Sequence, residues 1–183
     1  MYETSRLRLR AHTPDDIPRL LSLYHDPETN RLMSNAYNFP MTRKTLEDVI
    51  FAVDAGNKLA VIIEHKESGA FMGSLTMTIQ NSKNRDGVVG IALGKDWRSN
   101  GYGTEVLTWL LGFAFKELGL HRVSLQVFAI NEAAYTVYEK IGFIEEGRMR
   151  KCNWVGGKWD DIILMSILDD EWDIGSGRRK DDT

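Results

Sequence analysis

Leu93-Gly94-Lys95-Asp96-Trp97-Arg98-Ser99-Asn100-Gly101-Tyr102-Gly103-Thr104-Glu105 joins an apolar strand to an amphipathic helix. Before it, Val88 to Leu93 reads as a short apolar strand. After it, Leu107, Leu110, Leu111, Ala114 and Leu118 recur at helical spacing as far as Gly119. Arg98-x-x-Gly101-x-Gly103 sits where that helix begins. A helix N-terminus has backbone N–H groups without intrahelical partners and carries a partial positive charge. Glycines let that backbone approach a ligand closely, and Arg98 adds a cation, so together they suit a pyrophosphate. The spacing is neither the dinucleotide G-x-G-x-x-G nor a Walker loop with its lysine. The competing reading is a Gly-rich turn that merely connects strand to helix.

Working outward, the chain alternates strand and helix signals. Leu7 and Leu9 alternate with Arg6, Arg8 and Arg10, a half-buried strand. Thr13 is expected to cap a helix with Pro14 first, Asp15 and Asp16 in its first turn, and a stripe of Ile17, Leu20, Leu21 and Tyr24. Thr42 caps a second helix through Leu46, Val49, Ile50 and Val53 to a stop at Gly56. Leu59 to Ile63 and Ala70 to Ile79 form a hairpin around Glu67-Ser68-Gly69. Beyond the long helix, Val123 to Phe128 is a strand, and Asn131 opens a helix that ends before Gly142. Phe143 to Arg150 and Trp159 to Leu168 make a final hairpin around Val155-Gly156-Gly157. The order implies mixed α and β structure around one central sheet. A single domain over residues 1–172 is expected, with a polar, charged and disordered tail over 173–183.

Composition bounds the partners. The 183 residues suit one domain with a real core, and 43% hydrophobic with 27% charged residues is an ordinary globular composition. No apolar run approaches the roughly 20 residues that span a bilayer, and the N-terminal residues lack the apolar core of a secretion signal. Cys152 is the one cysteine, so no intrachain disulfide forms and an intracellular, cytoplasmic protein is expected. The net charge of −3 argues against a nucleic-acid binder. His12, His25, His65 and His121 lack metal-ligand spacing, and no metal is expected.

Several further segments match one family in order: Gly101-Tyr102-Gly103-Thr104-Glu105, Phe113-Ala114-Phe115, Leu118-Gly119-Leu120-His121-Arg122, Asn131-Glu132, Tyr138-Glu139-Lys140-Ile141-Gly142-Phe143 and Glu145-Glu146-Gly147-Arg148. With the Arg-x-x-Gly-x-Gly turn, the chain resembles the GNAT superfamily of N-acetyltransferases, in the branch of the ribosomal-protein-alanine and spermidine acetyltransferases. The resemblance runs from about Leu7 to Trp172 and is dense from Val88 onward. It implies a central mixed, mostly antiparallel sheet flanked by helices, with a V-shaped splay between the fourth and fifth strands. It implies acetyl-CoA as co-substrate and direct transfer of acetyl to a primary amine in a ternary complex.

The resemblance also implies the site. Ile91, Ala92 and Leu93 would offer backbone groups to the pantetheine arm and thioester from a bulged strand. Arg98, Ser99, Asn100, Gly101, Tyr102, Gly103 and Thr104 would hold the pyrophosphate. Asn131 would hold the pantetheine arm, and Tyr138 would be the general acid that protonates the departing sulfur. The two lie on one helix face, seven residues and roughly 10 Å apart at 1.5 Å per residue. An N-cap is the plain reading of Asn131, and a core tyrosine beside Ala134 and Ile141 that of Tyr138. Many relatives carry a glutamate as base in the strand that here reads Val88-Val89-Gly90-Ile91-Ala92, with no carboxylate. Glu105, Asp160, Asp161 and water are the alternatives for the proton. Cys152 reads as structural. Tyr24, Met33, Tyr37 and Phe39 on one side, and Trp154 and Trp159 on the other, are candidate walls of the acceptor pocket. The acceptor is a small-molecule amine or a protein N-terminus, and a homodimer is compatible with the family. A non-catalytic acyl-CoA sensor is the alternative in another class, and a generic nucleotide-binding protein the third.

Overall fold

The computed structural model describes residues 1–34, 40–51, 58–173 and 178–179. Eight strands hydrogen-bond in the order β1 (Tyr2–Glu3), β2 (Leu7–Arg10), β3 (Lys58–His65), β4 (Phe71–Asn81), β5 (Asp86–Leu93), β6 (Arg122–Phe128), β8 (Lys158–Leu168) and β7 (Ile144–Val155). β5 and β6 pair in parallel at Asp86↔Arg122, Gly87↔Val123 and Val88↔Ser124. The pairs β1–β2, β2–β3, β3–β4, β6–β8 and β7–β8 are antiparallel. The sheet is therefore mixed and mostly antiparallel, as expected. Counting from β2, β5 and β6 are the fourth and fifth strands, and their registered pairs end at Val88↔Ser124.

The residues group into two compact units, Met1–Thr78 with Gly90–Gly103, and Ile79–Val89 with Thr104–Thr183. In the first, Leu7 and Leu9 are fully buried and alternate with half-buried arginines, the period-two pattern of a strand. Thr13 caps a 3₁₀ turn, Pro14–Asp16, which leads into α1 (Ile17–His25). This corrects the expectation of one helix starting at Pro14. The prolines stand at Pro14 and Pro18, near the starts of the turn and of α1, where an absent N–H removes no intrahelical bond. Ile17, Leu20, Leu46 and Ile62 form a buried cluster, with Leu21, Tyr24, Met41 and Phe71 packed on it. The sequence reading missed α2 (Pro27–Met33), which Asp26 caps by accepting from the Thr29 N–H at 2.9 Å. Thr42 Oγ1 accepts from Thr45 N–H at 3.1 Å at the start of α3 (Arg43–Phe51). The expected continuation to Val53 and Gly56 lies outside the described residues.

α4 (Tyr102–Lys116), which belongs to the second unit from Thr104 onward, buries Val106, Leu107, Leu110, Leu111, Ala114 and Phe115. α5 (Glu132–Ile141) ends at Gly142, whose φ of 113° suits a left-handed helix stop. The β7–β8 hairpin turns at Gly156 and Gly157, with successive positive φ of 59° and 79°, as tight hairpins require. β7 runs beyond the expected Arg150 because a bulge between Met149 and Asn153 absorbs the extra residues. In the tail, Arg178–Arg179 pairs antiparallel with Trp172–Asp173, and the other residues after Asp173 lie outside the described ones. Among the described residues, no helix is long and apolar enough to cross a membrane.

One charged knot ties β2, β3 and the 3₁₀ turn. Arg10 donates to both Asp16 oxygens at 2.7 and 2.8 Å, and its Nε donates to Glu64 at 2.8 Å. Thr13 N–H adds a bond to Asp16 at 2.8 Å. The Asp16 side chain is 2% exposed. The Arg10 hydrogen bonds, against the opposing effect of burial, hold its carboxyl down to about 2 from an ordinary 3.8. A lowered carboxyl pKa stabilises the fold above the unfolded-state value and ceases to do so as pH falls through the folded one. Asp16→Asn should cost on the order of 2 kcal/mol at neutral pH. It should also flatten the loss of stability between about pH 4 and pH 2. Urea unfolding across that range checks both, and a variant with the parent's pH dependence would remove Asp16 from the account.

Candidate active site

β5 runs into the quoted turn through Gly94, whose N–H donates to Met72 O at 2.8 Å. A 3₁₀ turn follows at Lys95–Trp97, and Arg98 is extended. Ser99 and Gly101 then adopt positive φ of 61° and 77°, and α4 begins at Tyr102. Two left-handed residues within three positions make the sharp reversal that sets the helix N-terminus. Glycine does this freely, whereas a serine costs roughly 1–2 kcal/mol and needs surroundings that hold it. The Asn100 side-chain amide closes the turn on Arg98 O at 2.9 Å. Ser99, Asn100 and Gly101 form its exposed apex, and Tyr102, Gly103 and Thr104 begin the helix with Glu105. A β-carbon at Gly103 would have no neighbour nearer than 3.8 Å. Room exists for a side chain there, so a requirement for glycine would come from a ligand and not from the fold.

Arg98 is held by the protein itself. Its Nε donates to Leu93 O at 3.0 Å, Nη2 bonds Thr29 Oγ1, and Nη1 reaches Glu28 at 3.4 Å. The guanidinium is thus a strut between the end of β5 and α2, with a donor from each of its three nitrogens bonded to the protein. Ala92 is buried, and Ile91 and Leu93 are half-buried. The Ala92 carbonyl oxygen lies where a β-carbon at Gly73 would have to go. β4 therefore passes close to the segment assigned to the thioester, and only glycine permits it.

The second unit carries the other sequence-predicted groups. Asn131 Oδ1 accepts from Ala134 N–H at 3.2 Å and caps α5, so the plain reading of this residue holds. Tyr138 is half-buried on α5, edge-on to Phe143 with ring centres 5.8 Å apart. Burial pushes its hydroxyl up to about 12, so it keeps its proton at any ordinary pH. Asp160 accepts from Ile130 N–H at 3.0 Å, and Asp161 from Lys151 N–H at 2.8 Å. These two of the three candidate carboxylates thus anchor backbone, the first of them just before α5. Trp154 and Trp159 are 60% and 57% exposed and pair edge-to-face at 5.1 Å, so they do not pack the core. Tyr24 does pack on the core and reaches Ser74 at 3.3 Å, while Tyr37 and Phe39 lie outside the described residues.

Sequence reading missed Thr29, Glu28, Gly73 and Arg6, all of which touch the turn or the end of β5. Thr29 and Glu28 belong to an unrecognised helix. Gly73 interrupts a strand pattern, which is itself a signal of close backbone approach.

With this geometry in place, the comparisons with known proteins assign the class. Residues 6–144 match the acetyltransferase (GNAT) domain model. The chain belongs to the GNAT family and is an acetyl-CoA-dependent N-acetyltransferase. The Bacillus subtilis chain YdaF, provisionally named a ribosomal N-acetyltransferase, is 32% identical over 57% of each chain. The prophage-derived N-acetyltransferase YokL of the same organism is 26% identical over 93% of this chain and 94% of its own. The crystal structure of spermidine N-acetyltransferase from Vibrio cholerae with CoA and spermine superposes with a TM-score of 0.82 at 22% identity. It covers 91% of this chain and 97% of that one, a likeness of fold.

The contact at Gly73 can be tested alone. Gly73→Ala should lower stability by roughly 1–3 kcal/mol, the usual cost of overpacking. Thermal unfolding measures it, and an unchanged midpoint would mean β4 and β5 separate without cost.

Proposed function

We propose that the enzyme acetylates a primary amine by direct attack on acetyl-CoA in a ternary complex, with residues 1–172 acting as one acetyltransferase domain. One observation carries the reading: the Arg98-x-x-Gly101-x-Gly103 segment forms a left-handed turn that delivers the first N–H groups of α4. Those N–H groups and the helix dipole bind pyrophosphate. Main-chain groups of Ile91, Ala92 and Leu93 hold the pantetheine arm and polarise the thioester carbonyl, assisted by Asn131.

The amine nitrogen attacks the acetyl carbon and loses a proton, and the C–S bond then breaks. Tyr138 donates its hydroxyl proton to the sulfur. A phenol near 12 is a weaker acid than a thiol near 8.5. Its part is therefore a hydrogen bond that strengthens as negative charge grows on sulfur; the proton crosses as the C–S bond breaks, and the tyrosinate left behind regains a proton from solvent, which has received one from the amine. Asp160 and Asp161 are held by backbone bonds and Glu105 stands in the first turn of α4, where an acidic residue favours the helix dipole, so water carries the amine proton to solvent. The acceptor is a polyamine or a protein N-terminus, the two kinds that the relatives' names suggest, or another small amine. A cytoplasmic setting accords with a single, exposed, free cysteine.

Thiol release from acetyl-CoA, measured with spermidine, an amino acid and a peptide bearing a free N-terminus, tests the reading. Turnover with at least one is expected. Tight CoA binding without turnover on any would favour the sensor. On the best amine, Tyr138→Phe should lower kcat roughly 10²-fold or more, with KM for acetyl-CoA little changed. The parent's rate should show no descending limb from Tyr138 below about pH 11, since the hydroxyl stays protonated. Unchanged kcat in the variant would leave Tyr138 as a core residue.

A further inference from the structure

We propose that Arg6 is a positioning residue that locks the Asn100–Gly101 peptide plane, and with it a donor of the phosphate turn. The inference rests on acetyl-CoA phosphates binding at this turn. Arg6 Nη1 donates to Asn100 O at 3.1 Å, and its guanidinium lies 4.4 Å from the centre of the Tyr102 ring. A β-carbon at Gly101 would stand 3.5 Å from Arg6 Nη2, so the same guanidinium covers that residue too. One planar group thus touches three successive residues, two of them either side of the left-handed Gly101.

The consequence follows from amide geometry. In a trans peptide the C=O and the following N–H point in opposite directions. With Asn100 O fixed on Arg6, the Gly101 N–H is turned away from Arg6. A flipped plane would exchange a donor for a carbonyl, which repels phosphate. Glycine at 101 makes such a flip easy, because both signs of φ are open to it. The Arg98 guanidinium does not hold that plane, since its bonds go to Leu93, Thr29 and Glu28.

Arg6 is itself held. Its carbonyl accepts from Lys66 N–H at 2.8 Å. Next to Lys66, His65 stacks on Trp97 at 5.7 Å, and Tyr102 stands edge-on to both rings at 6.1 and 6.0 Å. The cation-covered ring belongs to a packed aromatic trio, so the Arg6 contact is supported from below.

The test compares CoA, which carries the pyrophosphate, with S-acetylpantetheine, which lacks it. Arg6→Ala should weaken CoA binding in calorimetry about tenfold or more, the combined effect of a charged hydrogen bond and a cation–π contact. It should leave kcat/KM for S-acetylpantetheine unchanged. Arg6→Lys keeps the charge but loses the flat fork, so it should not restore affinity. Equal losses on both thioesters, or full affinity in Arg6→Lys, would overturn the plane-locking role. Parent-like CoA binding in Arg6→Ala would do so as well. Gly103→Val separates the two readings. If it abolishes CoA binding while Arg6→Ala does not, only the Arg6 inference fails. If neither variant affects CoA, the phosphate-turn assignment fails with it.

Discussion

The guanidinium of Arg98 ties the end of β5 to α2, and the turn hangs from that tie. Leu93 O is the last carbonyl of the strand, and with it fixed the chain leaves β5 in one direction only. Ser99 can then be held in a conformation that a free serine avoids. Arg6 grips the far side of the same reversal at Asn100 and Tyr102. Two arginines, one at each end, thus stabilise a turn of unfavourable backbone geometry. The N-terminus of α4 inherits its place from them.

The helix that carries Tyr138 is fixed by the same kind of device. Asn131 caps it from within, and Asp160 holds the preceding N–H. Ala129 N–H adds a bond to the Asp161 carbonyl at 2.9 Å, and Gly142 closes the C-terminus. Asp160 and Asp161, catalytic candidates in the sequence, also serve as backbone anchors.

Features written locally in the chain were legible. The glycines of the turn, the stripe of α4, the Asn131 and Gly142 ends of α5 and the Gly156-Gly157 hairpin each depend on residues a few positions apart. The Arg-x-x-Gly-x-Gly spacing likewise marks its own helix start. What escaped depends on partners far along the chain. The 3₁₀ start at Pro14 answers to Asp16 being held by Arg10, and the extra length of β7 to a bulge opposite Asp161. Arg98 was legible as a cation but not as a strut, because Thr29 and Glu28 are 69 and 70 positions away. Arg6 reads as the polar side of an alternating strand, and no periodicity reveals that it reaches Asn100.

The span of that last contact bears on how the molecule assembles. Arg6 and Asn100 are 94 positions apart, and the Lys66 N–H bond to Arg6 O and the stacking of His65 on Trp97 divide the long loop that their meeting closes. Helices such as α4 need only local bonds and form early, while contacts of this separation come late. During synthesis the N-terminal arginine leaves the ribosome well before its partner exists and waits for it. The turn is therefore expected to be completed late in folding, once the strands between are paired. A chain can reach near-native helix content while this turn is still unformed.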